Sequence, residues 1–158
     1  MIQTLLLTCI YLTAISMMGY MIHRCLHQRW TGRLHVIHMA HHIKGLEDAG
    51  SFADKLLFTV PVMLVCLVVS FIALGFGASL STIGSFIVAM FFYGIINDVL
   101  HYAFHAPPKY LRSFSSFERA RRLHLVHHGD NGSNFGMMSF LCDATFGTFR
   151  EAKRRRKQ

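Results

Sequence analysis

The chain has 158 residues, enough for one domain, of which 53% are apolar and only 15% charged, with a formal net charge of +8. Soluble domains carry roughly a quarter charged residues, so this composition is too poor in charge to clothe a water-facing surface and points to a membrane protein. The distribution of the basic residues argues against a nucleic-acid groove: all sixteen Lys and Arg lie in 24–55 and 109–157, flanking apolar runs as basic loops at a membrane do.

The first run, 2–22, is free of charge and reaches the roughly 20 residues that a spanning helix needs. It lacks a basic n-region and a small-residue cleavage site, so it reads as a helix rather than a signal peptide. Its first flanking charge, Arg24, is C-terminal. The positive-inside rule then predicts an N-terminus outside and residues 23–55 in the cytoplasm. The second run, 56–76, holds Pro61 within its first two turns, where a kink is tolerated. Gly75-Phe76-Gly77-Ala78 is short and uncharged and suits a tight hairpin turn. The third run, 79–100, continues to His105 without a breaker, which predicts one long helix that leaves the membrane carrying a polar end. Ala106-Pro107-Pro108 stops it. Residues 101–149 return to the cytoplasm, and 150–158 form a basic tail that mainly enforces topology. The expected fold is all-α: an integral membrane helical bundle of about three spanning helices with a cytoplasmic, histidine-rich cap, in a single domain 1–158. Cys9, Cys25, Cys66 and Cys142 form no CxxC pair and read as free or buried thiols.

Ten of the eleven histidines fall into a repeated pattern. His23 and His27 form HxxxH; His38, His41 and His42 form HxxHH; His101 and His105 repeat the first box; His124, His127 and His128 repeat the second. With histidine at 11 of 158 positions, about 0.07, chance supplies about 0.05 HxxHH matches in a chain this long, against the two present. On a helix, residues four apart share a face, so each half is expected to present five imidazoles toward a common point. Ten rings exceed the needs of one metal or of a closed four-ligand zinc site, and suit two metals with four or five ligands each. Neutral imidazole serves zinc, copper, iron and nickel. His35 lies outside the pattern and reads as a hydrogen-bonded interfacial residue. Asp98 is the lone charge of the third run; three residues before His101, it is placed to accept that ring's second N–H. Asn97 is a similar candidate.

At these residues the chain resembles the fatty acid hydroxylase superfamily, which includes sterol C4-methyl oxidases, fatty acid 2-hydroxylases and carotene hydroxylases. The resemblance rests on the HxxxH and HxxHH boxes, on residues 97–105, on Tyr110-Leu111-Arg112, and on the closing pattern Asn134-Phe135-Gly136 with residues 143–148. It covers roughly residues 20–150. It implies a membrane enzyme with a cytoplasmic dimetal cap, iron in the active form with zinc as a possible occupant on purification, and O2 as cosubstrate. It implies two electrons from an external ferredoxin or cytochrome b5 type donor with its reductase, and a lipid substrate drawn from the bilayer. The ten patterned histidines carry over as metal ligands, and Asp98, Asp143 and Asn134 as supporting residues. Two departures leave the substrate open: Cys142 stands where the pattern often has Trp, and the first box is one residue shorter than in fatty acid 2-hydroxylases and carotene hydroxylases.

The resulting expectation is a lipid C–H hydroxylase, a fatty acyl chain favoured over a sterol or carotenoid. The rivals are a desaturase with the same dimetal site, and a metal-binding or metal-transport membrane protein without redox chemistry. Phe91, Phe92, Tyr93, Tyr102 and Phe104 are candidates to line the substrate's passage. Gly94 suits close helix packing.

Overall fold

The computed structural model describes residues 2–44 and 59–151, with side chains at 13–43 and 59–151. The remaining positions lie outside this description. They include the first three residues of the second predicted run, the later part of the predicted cytoplasmic segment 23–55, and most of the basic tail.

Every regular element among the described residues is helical. α1 is Ile2–Leu26, α2 Arg33–Lys44, α3 Thr59–Gly75, α4 Leu80–His105, α5 Ser115–Gly129 and α6 Leu141–Thr145; single 3-10 turns sit at Arg29–Thr31 and Leu111–Ser113. The all-α expectation holds.

Local chemistry sets the boundaries. α3 ends on the expected turn: Gly77 adopts φ +83°, and the N–H groups of Gly77 and Ala78 close back on the carbonyls of Leu74 and Ala73. Glycine meets that left-handed conformation without a Cβ penalty. Ser79 then caps α4, its Oγ accepting the Thr82 N–H at 3.2 Å. α4 runs unbroken through 26 residues, about 39 Å of helix at 1.5 Å per residue, and stops at Ala106 before the two prolines. It is the one helix among the described residues that is long and apolar enough to cross a membrane; Thr59–Gly75 is apolar but shorter.

α1, α3 and α4 pack around Ile22, Leu26, Val62, Cys66 and Met90. Gly94 lets α3 and α4 touch: a Cβ there would meet the Thr59 Cα at 2.8 Å. Asp98, one turn further on, accepts the Thr59 N–H at 2.9 Å and the Thr59 hydroxyl, so the contact is fixed by a buried carboxylate as well as by shape. Large apolar residues remain exposed on the outer faces of both helices, among them Leu64, Val68, Phe71 and Ile72 on α3 and Val88, Phe92, Ile96 and Val99 on α4. Such a continuous apolar surface is costly in water. At the C-terminal end of α4, Phe104 and Met137 are buried together against Leu100, Phe117 and Ala120. They seat α5 and the loop that follows it across the end of the bundle.

Candidate metal centre

Four segments bring the patterned histidines together. α1 carries His23, with His27 immediately after its end; α2 carries His38, His41 and His42; the last two turns of α4 carry His101 and His105; α5 carries His124, His127 and His128. The rings form two clusters. His23, His27, His38, His42 and His127 make the first, and His41, His101, His105, His124 and His128 the second; in each, one nitrogen per ring lies within 4.8 Å of all the others.

This grouping corrects the expectation that each half of the chain builds its own centre. The two halves exchange one ring. In each HxxHH box the outer histidines, four residues apart, serve the centre of their own half, while the middle one crosses to the other: His41 to the second centre and His127 to the first. The reason is angular. At 100° per residue, i and i+4 differ by about 40°, whereas i and i+3 differ by about 60° in the opposite sense. When α2 and α5 pass between two centres, the middle ring is aimed at the farther one. His42 and His128 mark the seam, their rings stacked with centroids 4.3 Å apart at 16°.

The ring nitrogens are spaced as ligands of a common cation. His27 Nε2 lies 2.9 Å from His38 Nε2 and 3.1 Å from His127 Nε2; His38 Nε2 is 3.2 Å from His42 Nε2; His124 Nε2 is 3.0 Å from His105 Nε2. Two nitrogens about 2.1 Å from one metal and at right angles lie about 3.0 Å apart. Hydrogen bonding alone does not account for the set. A ring nitrogen has either one proton or one lone pair in the ring plane, yet His27 Nε2 and His38 Nε2 each face two others. His41 Nε2 and His128 Nε2 are buried without a hydrogen-bond partner among the described residues, an arrangement that is expensive unless a cation takes the lone pair. The residues present therefore fit two metal ions.

Burial keeps the ligands in the binding form. Desolvation, reinforced by neighbouring imidazoles, pulls His27 down to about 3, His41 to about 4 and His128 to about 2, and holds His38 and His42 well below the usual histidine range. His127 falls to about 4, chiefly by desolvation, against the opposing pull of the Ser133 carbonyl and Asp130. Metals bind neutral imidazole, so no proton must leave these rings near neutral pH.

The loop after α5 orients two ligands of the first centre. His127 Nδ1–H donates to the Ser133 carbonyl at 2.6 Å, and His23 Nδ1–H donates to the Phe135 carbonyl at 2.6 Å. A carbonyl only accepts, so both rings carry their proton on Nδ1 and turn Nε2 into the cluster. Between the two carbonyls, Asn134 sits buried at φ +51°. Its amide donates to the Leu123 and Arg150 carbonyls, and its Oδ1 accepts the Arg150 N–H. Asp143, fully buried, accepts the N–H groups of Phe135 and Gly136 and the Thr148 hydroxyl. Asn134 and Asp143 thus hold the backbone of the loop whose carbonyls bond His127 and His23; those two carbonyls carry no sequence signal.

The remaining singled-out residues make the following contacts. Asn97 donates its amide to the Tyr93 carbonyl at 2.8 Å and toward Met138 Sδ, which places it in packing between α4 and the loop. Asp98 secures Thr59, as described above. His35, read as structural, donates Nδ1–H to the Leu26 carbonyl at 3.0 Å. The five aromatic residues proposed for a passage spread around α4: Phe91, Phe92 and Tyr102 are exposed, the first two with ring centroids 5.9 Å apart, while Phe104 is buried against Met137 and Tyr93 packs on Gly19. Their helical angles explain the split, since 91 and 102 differ by about 20° whereas 93 and 104 lie roughly opposite. Cys25, Cys66 and Cys142 are free thiols.

Comparison with known proteins agrees with the site. No curated protein and no solved structure matches the chain. The family model described as fatty acid hydroxylase matches residues 8–148, which take in all ten clustered histidines together with Asn134 and Asp143. A match over most of the length, on a chain whose boxes fold into two five-ring clusters, settles the relationship: this protein belongs to the fatty acid hydroxylase family.

Proposed function

We propose that this chain is an O2-dependent, di-iron lipid hydroxylase embedded in a membrane, with a fatty acyl chain as its preferred substrate. The observation that carries the reading is the pair of five-imidazole clusters, the ring nitrogens of each within 4.8 Å of one another, in a chain of this family. Iron bound there supplies the activation of dioxygen, with two electrons from an external donor of the ferredoxin or cytochrome b5 type.

The protein's own residues do the rest. Ten neutral rings hold two cations without carboxylates. The Ser133 and Phe135 carbonyls lock the tautomers of His127 and His23. The apolar outer faces of α3 and α4 are suited to lipid, and the single Asp on α4 is turned inward onto Thr59. We place the clusters and the C-terminus on the cytoplasmic side and the N-terminus outside, in a multi-pass topology, because the basic residues flank the histidine segments.

The decisive experiment supplies iron-loaded protein in lipid nanodiscs with reductant and 18O2. The expected product is a lipid heavier by one 18O atom, with about two irons per chain. A product lighter by two hydrogens identifies a desaturase, and zinc uptake into vesicles without oxygen consumption identifies a transporter; either overturns the proposal.

A further inference from the structure

We propose that Asp143 is a positioning residue for His23 that acts through a single peptide group, and that it therefore governs the first centre and not the second. The inference rests on the metal-binding part of the proposed function.

The Gly136 N–H and the Phe135 C=O are the two ends of one peptide unit. Asp143 Oδ2 accepts the N–H at 2.8 Å, and the C=O accepts His23 Nδ1–H at 2.6 Å. A carboxylate at the amide end pushes electron density toward the carbonyl oxygen, and linked hydrogen bonds of this kind strengthen one another. The stronger acceptor holds the His23 ring in its Nδ1–H tautomer and makes Nε2 a better donor to a metal, as a carboxylate in direct contact would. The difference is that the charge stays one peptide away.

The surroundings are shaped for this route. A Cβ on Gly136 would lie 2.1 Å from the Ser139 carbonyl oxygen and 2.8 Å from Asp143 Oδ2, so only glycine admits the carboxylate. Asp143 Oδ1 is occupied separately, by the Phe135 N–H at 2.7 Å and the Thr148 hydroxyl at 2.8 Å. Because Thr148 donates to Asp143, its oxygen is left to accept from the Tyr20 hydroxyl at 3.1 Å; the Tyr20 oxygen in turn accepts from Arg24 at 3.3 Å. Tyr20 stands one turn before His23 on α1, so the helix that carries the ligand also braces the carboxylate.

The hydrogen bonds to the Asp143 carboxylate come from Phe135, Gly136 and Thr148, and the ring that bonds the Phe135 carbonyl is His23, a member of the first centre. Loss of the carboxylate should therefore be felt at one centre only.

The test is Co2+ titration of metal-free protein in detergent, followed by visible absorption, with wild type, Asp143→Asn and Arg150→Ala. Wild type is expected to take two equivalents. Asp143→Asn should take one equivalent as tightly as wild type and the other about 10–100-fold more weakly. Arg150→Ala removes the ion pair to Asp130 at 3.0 Å and loosens the same loop; it should leave both equivalents unchanged. Equal weakening of both equivalents, weakening of neither, or the same pattern in Arg150→Ala overturns the proposal. If wild type binds two equivalents in those cases, the metal-binding reading stands without it; if wild type binds none, both fail. Should Asp143→Asn not fold, 15N-histidine NMR of metal-free wild type decides: His23 as the Nδ1–H tautomer is expected, and the Nε2–H tautomer overturns the proposal.

Discussion

The two centres are built from near-identical boxes, HxxxH followed by HxxHH, and yet their surroundings differ. In the first, two rings are tied through Nδ1 to the carbonyls of Ser133 and Phe135, and those carbonyls belong to a loop held by Asn134 and Asp143. In the second, Arg121, beside His105, donates its Nε to the Phe104 carbonyl; both centres include rings, such as His38 and His124, whose Nδ1 has no hydrogen-bond partner among the described residues. Equal ligand sets thus come in different surroundings. A motif specifies which atoms can ligate; the groups around it set how they are aimed. In the first centre that aiming runs through the backbone of one loop.

The largest effect comes from breaking the exchange between halves. His127→Ala should remove one metal, and adding His23→Ala should remove no more, because both rings serve the first centre. Adding His124→Ala instead should empty the protein. If each half owned its centre, the two double variants would trade outcomes, so metal content per chain decides the matter directly.

Acid is the next lever. In the unfolded chain a histidine titrates near 6.5, whereas His27, His41 and His127 are held at about 3 to 4 in the folded protein. Between these values the unfolded state binds more protons, so the stability of metal-free protein should fall as pH drops from about 6.5 toward 4 and be flat above about 7.5. Metal should oppose the loss. Thermal melts of both forms across pH 4–8 check the sign, and destabilisation of the metal-free form on raising pH through this window would contradict it. Rings from both centres are depressed, so a single transition is expected rather than one per centre.

The smallest effect sharpens the comparison by its absence. Phe91 and Tyr102 face outward on α4. Phe91→Ala should change metal content not at all and product formation less than about two-fold, since exposed positions without a named interaction rarely matter. A large loss would favour the passage expected from the sequence.

Much of this was legible in the chain. The periodicity of charge-free runs predicted helices, and Gly77 and Pro107 marked where two of them stop. The spacing of ten histidines announced a metal-binding arrangement, because chance does not place two HxxHH boxes in 158 residues. Asp143 and Asn134 entered only by resemblance, since one buried carboxylate looks like any other until its partners are known. The aromatic residues of α4 divide between exposed and buried positions, and only the packing of the helix against α1 and the loop after α5 decides which is which.

The sequence by itself determined the helical class, the family and the repeated histidine boxes that supply two clusters able to hold metal. The tertiary structure alone decided which five rings meet, that His41 and His127 change sides, and that two backbone carbonyls hold the ligands of one centre. The physical reason is that a box fixes angles only along its own helix, whereas a metal site is closed by the crossing of several helices, and crossings are set by packing contacts such as Gly94 on Thr59 and Phe104 on Met137.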